Sequence, residues 1–195
     1  MPERAAEARL ALDDTREELI AKAVALWTSV HRTAGNSAAA DGAADGDADP
    51  PGDPGLAVGD DLPGFLAAYY RRVAIEDLIV AGPARLALTA HWHAVLGAHR
   101  PQGRAVVRVR PEAGASLTGA GTVVDIVTDD MPYLVDSVTM ELNRHGVDIR
   151  IIVHPLLTVH RDVTGAAHGT APTSADAEAD AVPESWIHEI GRAHV

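Results

Sequence analysis

The sequence predicts an α+β fold, an N-terminal helical segment followed by an antiparallel sheet with one inserted helix. Two observations carry this. Up to Gly103 the larger apolar residues recur with the 3.6-residue period of helices, and from Arg104 they recur mostly with the two-residue period of strands. The later strand patterns are separated by one helical pattern over 132–145. The 195 residues leave room for one domain, or for one and part of another. With 36 alanines and only seven aromatic residues, the side chains able to build a core are concentrated in a few segments.

The first expected element is a helix over about 14–31, within an N-terminal unit of residues 1–32. Leu19, Ala23, Leu26, Trp27 and Val30 fall on one helical stripe, and Thr15-Arg16-Glu17-Glu18 fits a capping box with Thr15 as N-cap. Such a stripe needs a partner surface, because most helical stability comes from packing. Residues 33–60 are nearly all Ala, Gly, Asp, Pro and Ser, which cannot bury enough surface to offset their ordering entropy, and are expected to be a flexible acidic linker. A helical unit follows over 61–103. It runs through Phe65, Leu66, Tyr69, Tyr70, Val73, Leu78 and Ile79, breaks at Gly82-Pro83, and resumes with Leu86, Ala90, His93, Ala94 and Leu96. Pro83 suits the first turn of the new helix.

In the first strand Val107 and Val109 alternate with Arg108 and Arg110, and a loop covers 111–119. Residues 122–127 form an apolar strand. Thr128-Asp129-Asp130-Met131-Pro132 then has the composition of a strand-to-helix turn, with Asp129 or Asp130 as cap and Pro132 in the first helical position. The helix presents Val135, Val138 and Leu142 on one face and ends at His145-Gly146, where glycine takes the left-handed position. Over 147–160 the apolar side is Ile149, Ile151, Val153, Leu157 and Val159, opposite Arg150, His154, Thr158 and His160. Pro155 has no N–H to donate, so the strand is at an edge or bulged there. A low-complexity, disordered loop is expected over 163–183, and Ser185-Trp186-Ile187-His188 begins another strand.

The net charge of −12, from 28 acids against 16 bases, argues against nucleic acid or an anionic membrane as a partner. Eleven of the acids lie in 33–70 and 163–188, stretches without lysine or arginine, and the remaining chain is close to neutral at 17 acids against 16 bases. The absence of cysteine excludes disulfides, thiolate metal sites and a cysteine nucleophile, and suits a reducing compartment. No apolar run approaches the roughly 18 residues of a membrane span, and Met1-Pro2-Glu3-Arg4 has no apolar signal core. A soluble, cytoplasmic protein is expected.

Few residues point to chemistry. Gly119-Ala120-Gly121 lacks the third glycine of a dinucleotide-binding turn and precedes a strand instead of a helix. Oxidative deamination generally uses a lysine of lowered pKa in a closed site, and Lys22, the one lysine, reads as a solvated surface residue. His91 and His93 point about 200° apart on a helix and cannot share a metal ion, and His154 and His160 lie about 20 Å apart along a strand. No catalytic, cofactor-binding or metal-binding residue is assigned. What remains is a possible regulatory turn formed by Asp129, Asp130, Met131 and Tyr133. Backbone N–H groups at a helix start attract a carboxylate, whereas two adjacent aspartates repel it.

The stretch Val124-Asp125-Ile126-Val127-Thr128-Asp129-Asp130-Met131-Pro132-Tyr133-Leu134-Val135-Asp136-Ser137-Val138-Thr139-Met140-Glu141-Leu142-Asn143-Arg144 resembles the N-terminal region of the large bacterial NAD-specific glutamate dehydrogenases. So do Phe65-Leu66-Ala67-Ala68-Tyr69-Tyr70 with Glu76-Asp77-Leu78, Ala90-His91-Trp92, Val153-His154-Pro155 and Glu184-Ser185-Trp186-Ile187-His188. The resemblance covers about residues 15–188. It implies the N-terminal, non-catalytic part of an enzyme that converts glutamate, NAD and water to 2-oxoglutarate, ammonium and NADH, with NAD bound downstream and no cofactor here. It also implies an ACT-like (ferredoxin-like βαββαβ) regulatory unit whose first β-α-β is 122–127, 132–145 and 147–160, leaving 104–188 a partial domain. The implied partners are the remainder of the dehydrogenase chain, further copies in a homo-oligomer, and an amino-acid effector. Amino-acid-binding ACT domains commonly have glycine in the turn after the first strand. The bulkier Met131-Pro132-Tyr133 favours a packing or assembly role. The competing reading is a stand-alone ACT-like small-molecule-binding module, which would have to complete its third strand, second helix and fourth strand. After His188 the family pattern would continue with another apolar residue. Glu189-Ile190-Gly191-Arg192-Ala193-His194-Val195 instead translates a string containing the start of a widely used sequencing adapter, so the native frame is expected to end near His188, with 189–195 an assembly artefact.

Overall fold

The computed structural model describes residues 2–37, 58, 61–112, 121–172 and 181–193. In chain order its elements are α1 (Pro2–Ser37), α2 (Leu62–Tyr70), α3 (Ile75–Gly97), β1 (Val106–Pro111), β2 (Thr122–Asp129), α4 (Leu134–Arg144), β3 (Val147–Val153), β4 (Leu156–Arg161), β5 (Ala167–Pro172) and β6 (Ala181–Ala193). The α+β class is as expected.

The helix α1 is longer than its apolar stripe indicated. Thr15 is not its cap but lies inside it, where its hydroxyl donates to Ala11 O at 2.8 Å. The preceding residues, rich in Ala, Glu, Arg and Leu, are strong helix formers and extend the helix toward the N-terminus. Its buried face is Ile20, Ala23 and Trp27, while Leu26 faces outward. The expected linker 33–60 lies outside the described residues, apart from the end of α1 and the buried Val58.

The helical unit divides twice. Gly82 breaks α3 as expected, with φ 72° and Pro83 following it. An additional break separates α2 from α3, and the carbonyls it frees are taken by Arg16 of α1, which donates to Tyr70 O at 2.7 Å and Val73 O at 2.8 Å. Asp61 caps α2 through Gly64 N at 2.8 Å.

The six strands form one antiparallel sheet in the order β1-β2-β6-β4-β5, with β3 also paired to β6. The 13-residue β6 is its axis. Along one edge it pairs with β2 from Glu184 to Gly191, and along the other it pairs first with β4 and then with β3. Pro155 does more than bulge the expected strand over 147–160. It divides it into β3 and β4, and the Pro155 carbonyl accepts from Trp186 N at 3.1 Å where β6 passes from one to the other.

Two further expectations are corrected. The expected loop over 163–183 contains β5 and the start of β6. Asp162 makes the hairpin possible, its carboxylate accepting from Thr164 N and Ala166 N at 2.8 and 3.0 Å, and Gly165 turns the chain at φ 92° against the Arg100 backbone. The last strand does not stop at His188, since residues 189–193 continue β6 in register with β2 and β3.

Strand alternation gives the sheet two faces. Val123, Asp125, Val127, Trp186, His188 and Ile190 face the helical layer. Trp186 sits at the centre of the core, fully buried against Phe65 and His93, with ring centroids 6.1 and 5.0 Å away. The other face carries α4, whose half-buried stripe is Leu134, Val135, Val138, Thr139 and Leu142. In β1 it is the arginines that turn toward the helices. Arg108 lies 5.6 Å over the Trp92 ring and Arg110 donates to Asp125 at 3.2 Å, leaving Val107 and Val109 exposed at 57% and 64%.

Two substitutions test this packing. Trp186→Ala is expected to lower unfolding stability by about 3–5 kcal/mol in urea titration. Gly97→Ala should also destabilise, because its Cβ would collide with the Trp186 indole. A loss below about 1 kcal/mol for Trp186→Ala would place the centre of the core elsewhere.

Candidate functional site

The turn after β2, read from the sequence as a candidate regulatory turn, is held by its two aspartates, but neither caps the helix. Asp129, at the end of β2, accepts from Arg100 and, at 3.0 Å, from Gly103 N. Asp130 accepts from the Ser185 hydroxyl, and its N–H donates to Pro183 O at 3.0 Å. The N-cap is Tyr133, in the left-handed conformation at φ 65° with no side-chain cap bond, and Pro132 precedes the helix. Tyr133 is the one described non-glycine residue with positive φ, a conformation that costs energy for an aromatic side chain. Its ring is 78% exposed and Met131 is 50% exposed. The turn therefore presents two large apolar side chains outward and draws its carboxylates back against β6 and Arg100.

Behind it lies a buried ion cluster that sequence reasoning missed. Glu184 is fully buried and accepts from Arg100 Nε at 3.0 Å and Nη2, from Arg161 Nε at 2.6 Å and Nη2 at 2.9 Å, and from Trp186 Nε1 at 3.0 Å. The same arginines satisfy backbone carbonyls, Arg100 that of Arg104 and Arg161 those of Gly97 and Gly165. Two guanidiniums thus face two carboxylates, Glu184 and Asp129.

A second polar group lies beneath α3. The His188 Nδ1–H donates to Asp125, which Arg110 also contacts. Burial pushes the Asp125 carboxyl up, but its hydrogen bond with His188 and the neighbouring cationic groups outweigh this and hold it at about 2. His93 accepts at Nδ1 from the Tyr69 hydroxyl at 2.7 Å and donates through Nε2–H to Ile126 O at 3.1 Å, which defines the neutral tautomer. Burial pushes His93 down to about 4, and pushes the Tyr69 hydroxyl up. His91 turns away to pack on Trp27, with ring centroids 5.3 Å apart.

Next to Asp125 and His188 a cleft of about 290 Å³ opens between α3 and the β1-β2-β6 part of the sheet. Its polar lining is Arg85, Thr89, Arg110, Glu112 and His188, and Arg85 pairs with Glu112 at 2.7 Å. None of these residues was singled out as a site from the sequence. The alternation of Arg108 and Arg110 with valine was the one visible feature, and it did not tell that the arginines turn inward, toward Trp92 and Asp125.

Residues 65–193 match the family described as glutamate dehydrogenase, ACT1 domain. The chain belongs to that family. It is 34% identical over 102 residues to the NAD-specific glutamate dehydrogenase of Mycobacterium tuberculosis, covering 52% of this chain and 6% of that protein. It is 38% identical over 72 residues to the enzyme of the same name from Pseudomonas aeruginosa, covering 36% of this chain and 4% of the relative, and 33% identical over 102 residues to that of Halomonas elongata, covering 50% and 6%. The chain thus spans a small fraction of the length of these relatives. No solved structure matches it. The ACT1 match takes in α3, the whole sheet and α4, so both the turn and the cleft fall within it.

The geometry predicts two responses. A neutral His93 binds its proton only near pH 4 when folded but near 6.5 when unfolded, so the unfolded chain takes up protons first and stability falls as pH drops from about 6.5 to 4. Thermal unfolding across this interval should show that decline, and His93→Gln should flatten it. Glu184→Gln leaves two buried guanidiniums short of charge and is expected to cost about 3–5 kcal/mol, against far less for the part-exposed Asp129→Asn. Equal losses in urea titration would contradict that ranking.

Proposed function

We propose that the chain is an N-terminal, non-catalytic region of an NAD-specific glutamate dehydrogenase, serving its regulation or assembly. The proposed activity of the whole enzyme is oxidation of glutamate by NAD with water to 2-oxoglutarate, ammonium and NADH, in the cytoplasm, with NAD bound elsewhere in the chain. The observation that carries this reading is the match of residues 65–193 to the ACT1 domain of that family. The one lysine supports a role outside the chemistry. Lys22 lies exposed on α1, paired with Glu18 at 2.7 Å, and not in a closed site of the kind deamination uses. Among the described residues no helix is long and apolar enough to cross a membrane.

The remainder of the dehydrogenase chain and further copies of the protein are the proposed partners. The exposed Met131, Tyr133 and Met140 at α4, with Val107 and Val109 on the same face of the sheet, supply apolar surface for such contacts. The purified 195-residue chain is expected to give no glutamate-dependent NADH formation, and measurable turnover would refute the reading. Removing the corresponding region from a full-length dehydrogenase should change its oligomeric state or its response to effectors. If both stay as they were, neither role holds.

A further inference from the structure

We infer that the outer edge of β1 takes an added strand from the remainder of the dehydrogenase chain, one in which acidic residues alternate with apolar ones. This rests on the reading of the chain as a region of a longer dehydrogenase, and it names where on the sheet that partner joins and what chemistry it carries.

Among the described residues β1 pairs with β2 alone, so the backbone groups along its other side have no strand to bond. The sheet has other outer edges at β3 and β5, but the pairing of each is interrupted, by register shifts at Ile149/Ile151 and at His160/Arg161. Such bulges turn an edge away from further pairing. By contrast, β1 runs in unbroken register with β2, from Val106 opposite Val127 to Pro111 opposite Thr122.

What guards this edge is charge, and the charge is selective. Directly opposite residues share a face, so an added strand meets Val107 and Val109 on one of its faces and Arg108 and Arg110 on the other. Arg110 is already paired with Asp125. Arg108 lies over the Trp92 ring and donates to Trp92 O at 3.3 Å, with no salt bridge to a carboxylate of the described residues. A second copy of β1 does not suit the edge. Centred on Arg108 or on Val109, antiparallel self-pairing sets Arg108 opposite its own copy or opposite Arg110, and like charges directly opposite destabilise a sheet. The same rule favours an acid opposite Arg108 and apolar side chains against the exposed Val107 and Val109. A segment on the same polypeptide meets the edge at the effective concentration that a covalent tether gives, so even a short strand suffices. The chain covers 6% of its Mycobacterium tuberculosis relative, which leaves most of such a polypeptide to supply one.

The test is NMR titration and amide hydrogen exchange of the purified chain with a capped peptide of about seven residues that alternates glutamate and valine. One control peptide has lysine in place of glutamate, and another has the same composition with its glutamates and valines grouped. The alternating acidic peptide is expected to bind saturably and to slow exchange within Val106–Arg110, with both controls at least about 10-fold weaker. Arg108→Glu should reverse the preference, so that the lysine peptide binds and the glutamate peptide does not. Circular dichroism and thermal unfolding establish that this variant is folded, and the comparison of the three peptides on the unaltered chain stands without it. No saturable shift up to about 5 mM peptide, protection that falls outside β1, or equal binding of all three peptides would overturn the inference. Self-association of the chain that protects the β1 amides would also overturn it, by giving the edge to a second copy. In a full-length dehydrogenase the same amides should be protected with no peptide present. If they exchange freely there while the chain binds the peptide, the remainder of the dehydrogenase is not the partner and the inference falls, whereas the non-catalytic reading is decided separately by the turnover assay above.

Discussion

A buried carboxylate is costly unless its charge and lone pairs are met, and in this fold one such group, Glu184, is met by three side chains. Arg100 reaches it from just beyond α3, Arg161 from the end of β4, Trp186 from two residues along β6, and Asp129 joins through Arg100 from the end of β2. Because Arg161 also takes the carbonyls of Gly97 and Gly165, the C-terminal end of α3 and the β4-β5 hairpin share the same anchor. The helical layer is consequently fastened to one end of the sheet by charge, and to its middle by Trp186. The Arg85 region, on the other side of the Gly82 kink from the start of α3, is where the layer stands off the sheet and the cleft opens.

This arrangement explains which parts of the fold could be read from the sequence. The helix ending at Gly146, the break at Gly82-Pro83 and the apolar β2 were legible because a short window contains their cause: a stripe, a left-handed glycine, a proline. The two aspartates after β2 were legible as a polar turn. Their partners Arg100 and Ser185 lie 29 and 55 residues away, and no local rule connects them. Local capping chemistry therefore lost to tertiary ion pairing. Thr15 failed as a cap for the opposite reason, because strong helix formers on its N-terminal side carried the helix past it.

The orientation of β1 is the most instructive case. A strand alternating valine and arginine ordinarily turns its valines inward. Here the Trp92 face and the Asp125 carboxylate make the inward side a better environment for guanidinium than for water-excluded methyl groups. The alternation was visible, but its sense depended on residues that arrive from another helix and another strand. The β5 strand shows the complement. Its own residues, His168-Gly169-Thr170, carry no apolar alternation, yet Asp162-Val163-Thr164-Gly165 is a turn signature that commits the chain to fold back along β4.

Because β2 and β6 are paired on both edges, further strands can join this sheet only beyond β1, β3 or β5. The face carrying α4 leaves Val107 and Val109 uncovered. The cleft lies on the opposite face, so the two surfaces are connected through the sheet itself. The shortest route is β6: His188 lines the cleft, and the next residue, Glu189, lies on the other face and accepts from Thr139 of α4 at 3.3 Å. Adjacency does not by itself amount to coupling, which requires an element with two arrangements that each site biases. The element suited to that role is α3. It is fixed beyond its C-terminal end by the Glu184 cluster and interrupted at Gly82, so the part that covers the cleft is bounded by an ion cluster on one side and a kink on the other.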